Sequence, residues 1–580
     1  MKFEVVAQHF KKIEDTTKRL KMLDFLSELF KESPDKDIDK LIYICQENVL
    51  PAFKGVDIGM AEKMLEKAIS RATGAALKRV KELYKKEGDL GLVVEMLAKK
   101  RPQRLKEPEP LTMLDVYDGF MKTAKASGTG STEEKIKYIT NLLSRAKPSE
   151  ARYIARFVIG KLRLGIGDPT LMDALSKAKI GDKSLREDIE RAYNLCSDLG
   201  LVAKTFFKKG EKGLNEFKIK PGNPVRMALA ERMSSAENII EKIGKCALEA
   251  KYDGFRLQCH KIGDKVELFS RNQERMTHMF PDIVKSVKKY VKSKNAIIEG
   301  EALVYDEATG ELKPFQVTIT RKRKYDIKEK SKSLPLKLFV FDLLYADGKD
   351  FTPKPYSERL KAIKKYIKQG EALEYAKKII TDDPEEVEDF FETVVTAGLE
   401  GVMAKRLDAP YSAGSRNFDW IKLKRSYKGE LNDTVDVVII GYLKGRGARA
   451  KFGIGAVLGA VYNKKKDMFE SICKVGSGFS EENWVKLRKE LDKIKKKKKP
   501  ARVVSELEPD VWIEPVHVIE VAADEITTSP LHAAGKKDAE DSGYALRFPR
   551  AKGFIRQDKK AEDATTVKEI EKMYKNQMKK

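Results

Sequence analysis

Lys251 stands in the run Glu249-Ala250-Lys251-Tyr252-Asp253-Gly254-Phe255-Arg256, between one β-like apolar stretch and another that starts at Leu257. A lysine amine attacks an electrophile only in its neutral form. Desolvation or neighbouring cations lower its pKa and supply that form. Arg256, five residues on, offers both a positive neighbour and a phosphate ligand. Gly254 lets the backbone turn close to a ligand. Taken alone, Lys-x-Asp-Gly also suits an ordinary surface turn.

Further charged residues sit on apolar strands. In Ile297–Val304, period-two geometry puts Glu299, Glu301 and Leu303 on one face. Acids on so apolar a strand are costly unless they meet water, a cation or a ligand hydroxyl, and the apolar neighbours favour a pocket wall. In Phe339-Val340-Phe341-Asp342-Leu343-Leu344-Tyr345, Phe339 and Phe341 share a face. Either ring suits a core or the edge of a purine pocket. Glu400-Gly401-Val402-Met403-Ala404-Lys405 brackets an apolar strand with an acid and a base. Five positions separate them, so Lys405 falls on the other face and ranks low as a partner of Glu400. In Trp420-Ile421-Lys422-Leu423-Lys424, alternation sets Lys422 beside Lys424. Two such ammonium groups repel. A shared anion such as a triphosphate relieves that, as does open solvent on an edge strand.

The elements around these segments change along the chain. Residues 1–220 read as mostly helical: Met22, Phe25, Leu26, Leu29 and Phe30 form one stripe, and further helices are expected from Thr132 and over Ser149–Leu164. Pro221-Gly222-Asn223-Pro224 punctuates the chain. Residues 221–428 alternate short strands with helical stretches such as Ser357–Lys368 and Pro384–Ala397, an α/β pattern. Residues 429–580 are rich in short strands and fit a small barrel followed by a charged helix or tail, with a basic run at Lys493–Lys499 that suits a solvated helix end or loop.

Composition narrows the class. The chain has 580 residues, 115 Lys plus Arg against 89 Asp plus Glu, and a net charge of +26. That excess points to a polyanionic partner; thermal adaptation would explain many charges but not the imbalance of sign. The five cysteines form no CxxC pair and the five histidines no HExxH, which argues against a disulfide framework or a zinc site and for a cytoplasmic protein. Apolar runs such as Leu338–Tyr345 are too short to span a membrane. No GxxxxGK[ST] phosphate loop is present.

In this order and spacing the segments closely resemble the ATP-dependent DNA ligases, especially the archaeal form and the catalytic core of its eukaryotic relatives. KYDGFR, SRNQER (Ser270–Arg275), FVFDLLY, LEGVMAK and WIKLK look like five successive family motifs, and Arg556-Gln557-Asp558-Lys559 like the last. The resemblance implies an all-α DNA-binding domain (1–220), an α/β adenylation domain (221–428) and a β-barrel OB-fold domain with a C-terminal tail (429–580). It implies nick sealing through a lysyl-AMP intermediate, in replication, repair and recombination, with ATP and Mg²⁺. Lys251 would be the nucleophile. Glu249 would read the adenine edge, Phe341 stack on the base, and Arg256 and Glu301 contact ribose and phosphate. Arg271, Arg416, Lys422 and Lys424 would handle phosphates, Glu301 and Glu400 would lie near the metal, and Asp558 and Lys559 would enter the pocket for self-adenylation.

Nicked duplex DNA is the expected partner, met by a monomer in the cytoplasm at the nucleoid. Val158–Gly167 resembles a segment of the family's DNA-binding domain, although a tight helix–helix turn fits it equally. The family tends to dock a sliding clamp near the loop Arg101–Thr112, which carries Gln103 but no aromatic pair. RNA ligases and capping guanylyltransferases share the lysyl-nucleotide chemistry, but neither needs the helical front. An NAD⁺-dependent ligase would bring a cysteine zinc site. A non-catalytic DNA-binding scaffold would have no reason to keep Lys251, Glu301, Glu400 and Lys422.

Overall fold

The structure, a computed structural model, describes residues 1–101, 108–306, 312–313, 315–322, 327–424, 434–445, 451–538 and 541–579. They fall into two compact units, Met1–Lys424 and Arg425–Lys580. The division expected near 220 therefore lies inside one unit. The one expected at 428, and Gln103, lie outside the described residues.

The front of the first unit is helical. Arg19–Glu32 buries Leu23, Leu26, Leu29 and Phe30, with Met22 and Phe25 packed at the margin, as a 3.6-residue stripe demands. Thr112 and Asp115 close a capping box that starts Met113–Lys125. The helix expected over Ser149–Leu164 runs only over Pro148–Val158. Gly160 takes φ 61° and ends it, and Arg163 follows at φ 61°. Arg163 is held there by the Asp89 carboxylate at 2.8 Å and the Gly88 carbonyl at 3.1 Å. Among the described residues no helix is long and apolar enough to cross a membrane.

The connection to the mixed part is fastened rather than loose. The Gly222 N–H donates to His260 Nδ1 at 2.9 Å. Gln258 accepts from the Val225 N–H at 2.8 Å and donates back to the Val225 carbonyl at 3.0 Å. Arg226 pairs with Asp168 of the helical front at 3.1 Å.

Two sheets follow. The first orders β1 (Leu229–Arg232), β11 (Arg416–Lys424), β10 (Gly401–Arg406), β2 (Cys246–Lys251) and β9 (Lys378–Thr381). The second orders β4 (Lys265–Ser270), β3 (Phe255–Ile262), β5 (Asn295–Val304), β6 (Leu336–Ala346) and β7 (Lys349–Asp350), with β8 (Leu373–Tyr375) also on β6. Leu248 and Ala250 of the first sheet share a core with Leu303 and Phe339 of the second. Residues 252–254, between β2 and β3, cross from one sheet to the other. A Cβ on Gly254 would strike the Ala302 carbonyl and approach Leu303 Cγ at 2.7 Å. Glycine is needed here for strand packing.

The second unit is strand-rich. Val435–Leu443 pairs with Ala456–Asn463, Val511–Ile513 and Val518–Ala522, and the last of these pairs with Arg550–Arg556. This is the expected OB-fold part, closed by the helix Val567–Lys579. Lys496 in the basic run is exposed and pairs with Glu514 at 2.9 Å, which fits the solvated reading.

Candidate active site

β2 lies between β10 and β9, and its alternation turns Leu248 and Ala250 into the core and Glu249 and Lys251 to the opposite face. The register then makes two rows across three strands. Lys251 pairs with Gly401, and Gly401 with Lys424; Glu249 pairs with Met403, and Met403 with Lys422. The middle of the first row has no side chain. Glu400, just before β10, reaches into that gap and bonds both Lys251 and Lys424 through its two oxygens. It can do so because it stands outside the strand, and its N–H donates to the Lys251 carbonyl at 3.0 Å.

Charge is concentrated here. Burial raises the Glu400 carboxyl, but Lys251 and Lys424 more than offset this and hold it below the ordinary range. Glu301 on β5 is pushed up to about 7 by burial, against the pull of Lys251 and Arg256. Lys422 is lowered, first by burial and then by Lys424, Arg416, Lys251 and Arg271. These are the neighbours expected of residues that share one polyanion. Lys251, Glu301, Glu400, Arg271, Arg416, Lys422 and Lys424 are thus brought together.

The base side of the site differs from the expectation. Phe339 is core, stacked on Tyr252 with centroids 4.2 Å apart. Phe341 is half-buried, edge-on to Trp420 at 6.1 Å. Glu299 was expected to share a pocket wall with Glu301. It is fully buried instead and accepts from Arg256 at 2.8 Å, Tyr411 at 2.9 Å and Gln258 at 3.0 Å. The β5–β6 bulge leaves Phe341 of β6 unpaired, while β5 keeps an unbroken register with β3, so Glu299 and Glu301 do share a face. Arg256 is fixed by Glu299, by the Ala228 carbonyl at 2.7 Å and by the faces of Phe341 and Trp420. Its phosphate contact is therefore not an open one.

Glu249 is only 2% exposed. It accepts from Tyr356, from Lys378 at 3.2 Å and from Lys405 at 2.7 Å. Lys405, ranked low from the strand alternation, lies at the heart of this cluster. Sequence reading missed Lys378, Tyr356 and Tyr411, which lie outside the segments it singled out. Asp342 of the phenylalanine segment is also fully buried, in an ion pair with Arg359 at 2.9 Å.

Asp558 and Lys559 lie on the second unit, where Asp558 is bound by Arg556 at 2.7 Å and Lys559 pairs with Asp436. Among the described residues no group of three or more His, Cys, Asp and Glu side chains makes a self-sufficient metal site. Both Glu400 oxygens are taken by Lys251 and Lys424, so an ion bound there would have to displace one of these lysines.

Comparison with known proteins identifies the family. Three family models match: DNA ligase N terminus over residues 2–176, ATP dependent DNA ligase domain over 227–424, and ATP dependent DNA ligase C terminal region over 450–559. A probable DNA ligase of Dictyoglomus thermophilum is 50% identical, covering 100% of this chain and 98% of the relative. The DNA ligase of Hyperthermus butylicus is 44% identical, again over 100% and 98%. The solved structure named Pmar-Lig_PreS3 shares the fold at a TM-score of 0.55 and 19% identity, covering 94% of this chain and 98% of that one. A helical front, an adenylation domain whose cations gather round Lys251, and an OB-fold part thus occur together, and the chain belongs to the ATP-dependent DNA ligases.

Proposed function

We propose that Lys251 is the residue that carries AMP. Its Nζ attacks the α-phosphorus of ATP, an N–P bond forms, and the P–O bond to pyrophosphate breaks. Glu400, bonded to that Nζ, is placed to take the proton the ammonium must lose. The adenylate then passes to the 5′-phosphate of a nick, freeing Lys251. The 3′-hydroxyl attacks that phosphate, AMP leaves, and the strand is sealed. The observation that supports this reading is the row Lys251–Gly401–Lys424 with Glu400 set in its gap.

Lys422, Lys424, Arg271 and Arg416 neutralise the phosphates, so positioning and charge carry the acceleration. Phe341 stacks on the base. Glu301 and Glu400 would hold Mg²⁺, which supplies further neutralisation of phosphate oxygens when bound. Asp558 and Lys559 join the nucleotide-handling set on the resemblance of their motif.

The test is incubation with α-labelled ATP, GTP or NAD⁺ and Mg²⁺, followed by a denaturing gel. Label from ATP is expected on the wild type and none on Lys251→Ala. Nicked duplex should then discharge the label and yield sealed product. Label from GTP alone, or joining of single-stranded RNA alone, would move the reading to capping or RNA-ligase chemistry.

A further inference from the structure

Lys405 is 1% exposed, with Nζ 2.7 Å from Glu249 Oε2. The same Nζ lies 4.1 Å from the ring centroid of Trp420, 4.5 Å from Phe341 and 4.7 Å from Tyr356. A cation so enclosed cannot be hydrated. One carboxylate, the Tyr356 hydroxyl oxygen at 3.4 Å and three aromatic rings satisfy it. Nothing in the phosphate chemistry uses this ammonium.

Its partner carboxylate is nearly saturated. Glu249 Oε1 accepts from Tyr356 and from Lys378, and Oε2 from Lys405. An ionised carboxylate has about four acceptor sites and no donor, so the position that remains suits a donor only. Phe341, the ring assigned to the base, is also one of the rings against Lys405. The carboxylate and the stacking surface are therefore fixed by one buried side chain.

We propose that Lys405 sets base specificity: by holding Glu249 as an acceptor-only carboxylate beside the Phe341 ring, it admits the 6-amino edge of adenine and rejects the 6-oxo edge of guanine. This rests on the reading of the pocket as the nucleotide site. Lys405 is a positioning residue, since it acts through Glu249 and Phe341. A 6-oxo group facing this carboxylate would set two acceptors against each other with no proton between them, and such buried mismatches discriminate strongly. Without the ammonium, Glu249 keeps Lys378 and Tyr356 but loses its closest charge partner. A buried carboxylate in that position takes up a proton and can then donate to a 6-oxo group.

The experiment uses the full chain and measures covalent nucleotide on the protein by intact mass, with ATP and with GTP, for wild type, Lys405→Met and Lys405→Arg. Wild type should prefer ATP strongly. In Lys405→Met the KM for ATP should rise about tenfold, more than kcat falls, and the ATP-to-GTP preference should drop at least about tenfold. Lys405→Arg, which keeps the charge, should recover part of the preference. A folded Lys405→Met with wild-type preference overturns the proposal, as does a wild type that takes GTP equally well. Should Lys405→Met lose its cooperative unfolding transition, Glu249→Gln replaces it: an amide presents donor and acceptor, so preference should fall there too, and unchanged preference overturns the proposal. Absence of any adduct on wild type would instead remove the assignment of Lys251, and this inference with it.

Discussion

Glu400 bonds two lysines at once, Lys251 through one carboxylate oxygen and Lys424 through the other. One acid thereby aligns the amine proposed to attack with a cation proposed to handle phosphate. Glu400→Gln keeps the shape and removes the charge. Self-adenylation should fall on the order of 10²- to 10³-fold, read as single-turnover labelling with ATP. A loss below threefold would show that the pair is not used in the chemistry.

Glu301 should give the reaction its acidic limb. Its carboxyl is pushed up to about 7 by burial despite Lys251 and Arg256. Label incorporation should rise through pH 7 as Glu301 ionises, and Glu301→Gln should be weak and lack that inflection. Stability moves the opposite way. A carboxyl raised in the folded state favours folding fully below its unfolded value near 4.5, and that contribution is lost as pH rises through about 7. The Tm of Glu301→Gln relative to wild type should therefore increase from pH 5 to pH 8.

Gly401 cannot carry a side chain. Its φ is 144°, and a Cβ would meet the Leu423 carbonyl and lie 2.9 Å from Lys424 Cα. Gly401→Ala should cost about 1–3 kcal/mol in urea unfolding and abolish labelling, because it parts β10 from β11 between Glu400 and Lys424.

Gln258 is fully buried and bonds Val225 twice, His260 and Glu299. Gln258→Leu leaves those groups without their partner and should cost about 3 kcal/mol, measured by chemical denaturation. Because Glu299 holds Arg256, the KM for ATP should rise as well.

The strands that carry the site were legible because their apolar alternation is local. Lys251, Glu301, Glu400, Lys422 and Lys424 are neighbours, an arrangement that the resemblance implied and no single segment's spacing did. The misreadings share a cause. Lys405 was counted off from Glu400 along one strand, yet Glu400 stands outside that strand, and the Lys405 contact Tyr356 is 49 residues away. Glu299 does share a face with Glu301, but it is buried by Arg256, Gln258 and Tyr411, which belong to other elements. Buried polar groups are settled by distant partners, and no window of sequence contains them.

The fastening of residues 222–226 has one more effect. A protease that nicked the chain between Pro221 and Pro224 would release no fragment, since Gly222, Val225 and Arg226 each grip a different neighbour. Because Asp168 belongs to the helical front, the Arg226 pair ties the downstream side of that segment back to the front itself.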